Sequence, residues 1–180
     1  LSAFLIFIDR LNALARERKL KEELYLIYVS PLKSLAGDIR ENLNRPLDGI
    51  RHEMERLEGA VHMAGSARPP QTARAAESAR PPHTACPAES VCLDIQVGIR
   101  TGDTPQKDRQ RMIKHPPHIL ITTPESLFLM LTSKNGRSVL KTARALIIDE
   151  LHALIDTKRG AHLMLSVARL DQLCGRNLQR

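Results

Sequence analysis

Hydrophobic residues along the chain follow two rhythms. Short unbroken runs of Ile, Leu and Val predict strands at Tyr25 to Val29, Ile95 to Arg100, His118 to Thr122 and Ala145 to Asp149. Elsewhere apolar residues recur every three or four positions, as in Phe4, Ile8, Leu11 and Leu14, or Leu163, Val167, Leu170 and Cys174. That spacing belongs to a helix with one face on a core. Helices are expected over residues 2 to 17, 32 to 44, 46 to 58, 105 to 114, 124 to 132 and 160 to 175. Alternating strands and helices imply an α/β fold, a parallel sheet flanked by helices. The continuous apolar run before Asp149 suits a central strand covered on both faces.

One stretch obeys neither rhythm. From Ala64 to Ser90 there is no large aliphatic or aromatic residue, and five of the eleven prolines fall within 59–91. Such a segment cannot bury a core. It holds a tandem repeat, Ser66 to Glu77 and then Ser78 to Glu89, whose unit has no apolar face to stack as a solenoid. A disordered insertion at 59–91 is expected, dividing one domain into residues 1–58 and 92–180. Arg68, Arg74 and Arg80 allow a weaker second reading, a tether that touches nucleic acid.

Composition narrows the partner. With 180 residues, 42% of them hydrophobic, the chain can bury one substantial core. A net charge of +7 favours an anionic partner, nucleic acid first. Five aromatic residues and no Trp argue against a base-stacking platform and for contact with backbone phosphates. Cys86, Cys92 and Cys174 are odd in number and lack CxxC spacing, so no disulfide framework or zinc site is indicated. His83 near Cys86 and Cys92, and the pair His115 and His118, lack ligand spacing too. A reducing, cytoplasmic location fits. The apolar run Ala3 to Ile8 is too short to span a bilayer and is no signal peptide. The first residue is Leu1 rather than Met, from which a fragment beginning inside a domain is expected.

The chemistry collects at the strand ends. The fourth strand runs straight into Asp149, Glu150 and, two places on, His152. At the carboxyl end of a buried strand, one carboxylate can hold Mg²⁺ through water while its neighbour orients or deprotonates an attacking water. Simple capping of the following helix is the other reading. The remaining strands exit into Ser30-Pro31, Thr101-Gly102-Asp103-Thr104-Pro105 and Thr123-Pro124. A hydroxyl followed by Pro starts a helix, and helix N-termini at this edge would offer amide donors to anions. Capping explains those residue types but not Lys33, a cation in a first helical turn that opposes the dipole and is better understood as facing phosphate. Arg100 offers a fork for phosphate oxygens and Gly102 permits close backbone approach. Glu125 would repel phosphate and is expected to serve structure.

These phrases resemble the first RecA-like domain, of the P-loop NTPase type, of superfamily 2 DEAD/DEAH-box helicases, and more closely the large helicase-related (Lhr) family. Tyr28 to Leu35 resembles motif Ia, Arg100 to Thr104 motif Ic, Thr123 to Leu127 motif Ib, and Asp149 to His152 motif II, the Walker B element; Thr157 to Leu163 resembles the family's following loop and helix. The resemblance implies an ATP-dependent DNA helicase or translocase stepping 3′ to 5′ on single-stranded or partly duplex nucleic acid, with DNA ranked ahead of RNA. It implies that Asp149 holds the Mg²⁺ of Mg-ATP, that Glu150 positions the hydrolytic water, and that His152 links the nucleotide site to a second lobe and to the bound strand. Ser30, Pro31, Lys33, Arg100, Thr101, Gly102, Thr123 and Pro124 would grip the strand backbone.

The family's Gly-rich phosphate loop ending in Lys-Ser/Thr is found nowhere in these residues, nor are the Ser/Thr-Ala-Thr motif and the second RecA-like lobe. Without them phosphoryl transfer loses binding and charge stabilisation, and the isolated chain is expected not to hydrolyse ATP. Two other readings remain at this point. One is a non-catalytic nucleic-acid-binding module; the other is an ATPase or metal-dependent hydrolase that does not act on nucleic acid.

Overall fold

A computed structural model describes residues 2–64 and 95–180. The Pro/Ala/Arg repeat, with His83, Cys86 and Cys92, lies outside the described residues. Within them four short strands, β1 (Leu26–Val29), β2 (Val97–Arg100), β3 (Ile119–Thr122) and β4 (Ala145–Ile148), form one sheet in the order β2-β3-β1-β4. All pairings are parallel.

Side chains alternate across this sheet and build two cores. Ile27, Val29, Leu120 and Leu146 face one cluster with Leu127, Leu131, Leu140, Leu163, Val167 and Leu170, from helices α4 (Pro124–Thr132), α5 (Lys134–Leu140) and α6 (Lys158–Cys174). Leu26, Tyr28, Ile119 and Ile121 face the other, with Phe4, Ile8, Leu11, Leu43 and Leu47, from α1 (Ser2–Arg16) and α2 (Lys33–Ala64). Helix α3 (Gln106–Lys114) follows β2. The apolar stripes expected for the first and last helices are the buried faces of α1 and α6.

Two elements depart from the sequence pattern. The helices expected over 32–44 and 46–58 are a single α2 that carries Pro46 inside it. Pro46 removes one ladder hydrogen bond, but Leu43 and Leu47 on either side are both buried in the same core, and that burial keeps the helix continuous. Helix α5 lies in a stretch for which the apolar pattern predicts no element. Here a Cβ at Gly136 would stand 2.3 Å from the Met130 carbonyl oxygen, so glycine permits α5 to turn tightly against α4. The Ser133 hydroxyl caps it, accepting from the Gly136 amide at 3.0 Å.

Among the described residues no helix is long and apolar enough to cross a membrane, and no group of three or more His, Cys, Asp or Glu could hold a metal. His118 is buried, its Nδ1 accepting from the Gln96 amide at 2.9 Å. Cys174 is a free thiol that donates to the Leu140 carbonyl; burial pushes its pKa up.

Candidate nucleotide and nucleic-acid edge

The four strands stop together. Arg100, Thr122, Val29 and Ile148 stand opposite one another in register, so the next residues, Thr101, Thr123, Ser30 and Asp149, form a row along the carboxyl edge. The ladder extends into that row: the Ser30 amide donates to the Thr122 carbonyl at 3.0 Å and the Asp149 amide to the Val29 carbonyl at 2.9 Å. With strands roughly 4.8 Å apart, Thr101 lies about 14 Å along the edge from Asp149.

Asp149 is half-buried and held on both oxygens. Its Oδ2 accepts from the Tyr28 hydroxyl and its Oδ1 from the Glu150 amide at 2.9 Å. Tyr28 lies on β1 and its ring packs on Phe4 of α1 at 4.8 Å. Burial, together with the Asp149 hydrogen bond and the charges of Asp149 and Glu150, holds the phenol well above its usual pKa, so it stays a proton donor. A carboxylate has about four acceptor positions, and two are used here. The rest can receive water, which fits an outer-sphere hold on Mg²⁺ by a hard oxygen donor.

Glu150 adopts the left-handed conformation, with φ 49° and ψ 39°, a region that costs a non-glycine residue about 1–3 kcal/mol. Its carboxylate meets His152 Nε2 at 3.1 Å. A short 3₁₀ turn, Leu151–Ala153, follows. The structure thus brings Asp149, Glu150 and His152 together at the end of β4.

The three hydroxyl turns are near neighbours but are used locally. Thr123 is buried; its Oγ1 caps α4, accepting from the Ser126 amide at 3.4 Å. Ser30 is buried, its Oγ accepting from the Leu32 amide at 3.4 Å. The Thr101 amide donates to Thr104 Oγ1 at 2.8 Å. Pro31 and Pro124 are buried, and Gly102 is exposed. Of Lys33 the structure describes the backbone, at the start of α2. Arg100 is half-buried; burial first, and then the nearby charge of Arg109, lower its pKa.

The amides expected to await an anion at α4 are already engaged. The Glu125 carboxylate sits at that helix start, held well below its usual pKa first by its hydrogen bond to Arg159, with its own amide and the Thr123 hydroxyl adding to the effect. The structural role expected for Glu125 is what the geometry shows.

Three residues that the strand-end pattern did not single out complete the edge. Tyr28 supports Asp149. Arg109 clamps the turn after β2, donating to the Gly102 carbonyl at 2.6 Å and the Thr104 carbonyl at 2.7 Å. Arg159 donates to both Glu125 oxygens and, at 2.8 Å, to the Pro31 carbonyl. The signal for Arg159 was present, since a cation in the first turn of α6 opposes the helix dipole as Lys33 does in α2.

Comparison with known proteins places this architecture. Residues 86–179 match the family model of the DEAD/DEAH box helicases. The chain belongs to that family. It is 42% identical over 97% of its length to the ATP-dependent helicase Lhr-Core protein 2 of Thermococcus barophilus, covering 17% of that protein. It is 46% identical over its whole length to the Lhr helicase/probable uracil glycosylase of Mycolicibacterium smegmatis, covering 10% of it. The chain therefore corresponds to a small part of these helicases. The structure of Mycobacterium smegmatis helicase Lhr bound to ssDNA and AMP-PNP superposes with a TM-score of 0.66 at 44% identity, over 88% of this chain and 16% of that one. The DEAD-box helicase Mss116, bound to ssRNA and UDP-BeF, matches with a TM-score of 0.63 at 17% identity, covering 98% of this chain and 28% of that one. The fold of this DEAD/DEAH box chain is RecA-like.

Proposed function

We propose that the chain is the part of an ATP-dependent DNA helicase's first RecA-like domain that carries the Walker B carboxylates and the strand-gripping turns. The observation that supports this best is the register row, in which Asp149 stands beside three Ser/Thr turns on one sheet edge. The similarity to a helicase solved with ssDNA and AMP-PNP supports DNA and ATP as its partners.

In this reading the buried hydroxyls of Ser30, Thr101 and Thr123 shape the turns, while the backbone at Gly102, the buried prolines' turns and the side chains of Lys33 and Arg100 meet the strand backbone. Asp149, braced by Tyr28, holds Mg²⁺ through water, and the ion would neutralise phosphate charge there. Glu150 orients or deprotonates the attacking water, and His152 holds the Glu150 carboxylate in place. The chain contains no Gly-Lys-Ser/Thr phosphate loop, so it should not turn over ATP unaided.

Titration of a labelled single-stranded oligodeoxynucleotide over a range of salt tests the reading. Affinity should fall steeply as salt rises, and Lys33→Ala should reduce the log-log slope by about one. A chain that fails to bind single strands at low salt is not this module. An ATP turnover of the chain that Glu150→Gln abolishes would refute the claim of inactivity.

A further inference from the structure

We propose that Arg159 is a positioning residue that locks the Ser30-Pro31-Leu32 turn to the Thr123-Pro124-Glu125 turn, so that two strand-gripping turns act as one rigid unit joined to the segment after Asp149. The proposal rests on the strand-gripping reading of that edge.

Arg159 comes from α6, the turns from the ends of β1 and β3. Its Nη2 donates to the Pro31 carbonyl at 2.8 Å and to Glu125 Oε2 at 3.2 Å, and its Nε donates to Glu125 Oε1 at 2.5 Å. One planar fork therefore spans two turns that are 94 residues apart in the chain (31 to 125). Both members of the ion pair are about half exposed, and such a pair stabilises a fold little by itself. What the fork supplies is direction, because a guanidinium fixes both partners in its plane.

The backbone holding Arg159 is itself constrained. The Thr157 hydroxyl donates to the Leu154 carbonyl at 2.8 Å and accepts from the Gly160 amide at 3.0 Å. A Cβ on Gly160 would stand 2.0 Å from the Leu154 oxygen, so the first turn of α6 sits directly on the residue that closes the 3₁₀ turn after Glu150. Movement at the end of β4 is thereby passed to Arg159 and to both turns. The pairing also cancels the charge of Glu125, which would otherwise repel a phosphate passing α4.

A direct phosphate contact and a positioning role leave different signatures in salt. A guanidinium already paired with a carboxylate releases no counterion when a strand binds. The test is the affinity of the 180-residue chain for labelled oligothymidylate across a salt series, for the parent, Arg159→Ala with Glu125→Gln, and Arg159→Lys, with the melting temperature of each. Arg159→Ala, made together with Glu125→Gln so that no unpaired carboxylate is left to repel the strand, should weaken binding about tenfold at every salt concentration with the parent's slope. Arg159→Lys, which reaches one acceptor without a fork, should recover part of the loss. Parent-like affinity in the double variant overturns the proposal, and so does a slope reduced by about one, which would make Arg159 a phosphate contact. If the double variant melts early, Arg159→Lys decides: intermediate affinity at the parent's slope supports the lock, and parent-like affinity sinks it. A parent chain that binds no strand removes the strand-gripping reading and this inference together, whereas a binding parent matched by its variants removes this inference alone.

Discussion

The Tyr28 hydroxyl donates to the Asp149 carboxylate across 121 residues of sequence. This bond ties the carboxylate at the end of β4 to the neighbouring strand, and through the Phe4 ring to α1. The carboxylate is thus aimed before any ligand arrives.

Tyr28→Phe keeps the ring and deletes the donor. It should destabilise the chain by about 1.5–3 kcal/mol near neutral pH, the range for a hydrogen bond to a charged group. The pH dependence has a definite sign. The folded phenol titrates above the ordinary value of about 10, so between that value and its raised folded pKa the unfolded chain has lost a proton that the folded chain retains. This contribution is complete below about pH 10 and declines as pH rises. Denaturant melts of parent and Tyr28→Phe from pH 8 to 11 should draw closer, without meeting, above about pH 10; curves that stay parallel contradict the raised pKa.

Glu150 combines a strained backbone with the chemistry assigned to it. Glycine adopts left-handed φ without a Cβ penalty, so Glu150→Gly should leave the melting temperature unchanged or raise stability by up to about 1 kcal/mol. Glu150→Val, β-branched at the same φ of 49°, should lower it. A fall in stability for both would show that the Glu150 contact with His152 outweighs the strain.

Gly160 has no room for a side chain. Gly160→Ala would force the first turn of α6 off the Leu154 carbonyl, at a cost of about 1–3 kcal/mol typical of overpacking. Because that turn carries Arg159, single-strand affinity should fall as well. An alanine variant with parental melting temperature and affinity would mean that the turn yields freely.

Much of this fold was legible in the chain. The Ile/Leu/Val runs end at Ser30, Thr101, Thr123 and Asp149 because buried strands need apolar side chains and their exits need helix starts. What stayed hidden depends on contacts between distant segments. Nothing near Tyr28 points to Asp149, and Glu125 could be recognised as structural without revealing Arg159 as its partner. Pro46 misled for a related reason: local propensity breaks a helix there, whereas packing of Leu43 and Leu47 on the sheet overrides it. The Thr123 turn was readable as a cap and Glu125 as a structural carboxylate at that helix start, but not that the Glu125 carboxylate takes up its own backbone amide.

The in-register finish of the strands also acts as a ruler. Intervals between the turns at Thr101, Thr123 and Ser30 and the Asp149 carboxylate are set by the hydrogen-bond spacing of the sheet, which neither rotamers nor salt can alter. Moving one of these turns out of the row would take a register slip, and a slip by one residue would carry every side chain of that strand from one core to the other. The residues of these turns can therefore be exchanged while the distances between them stay as the sheet sets them.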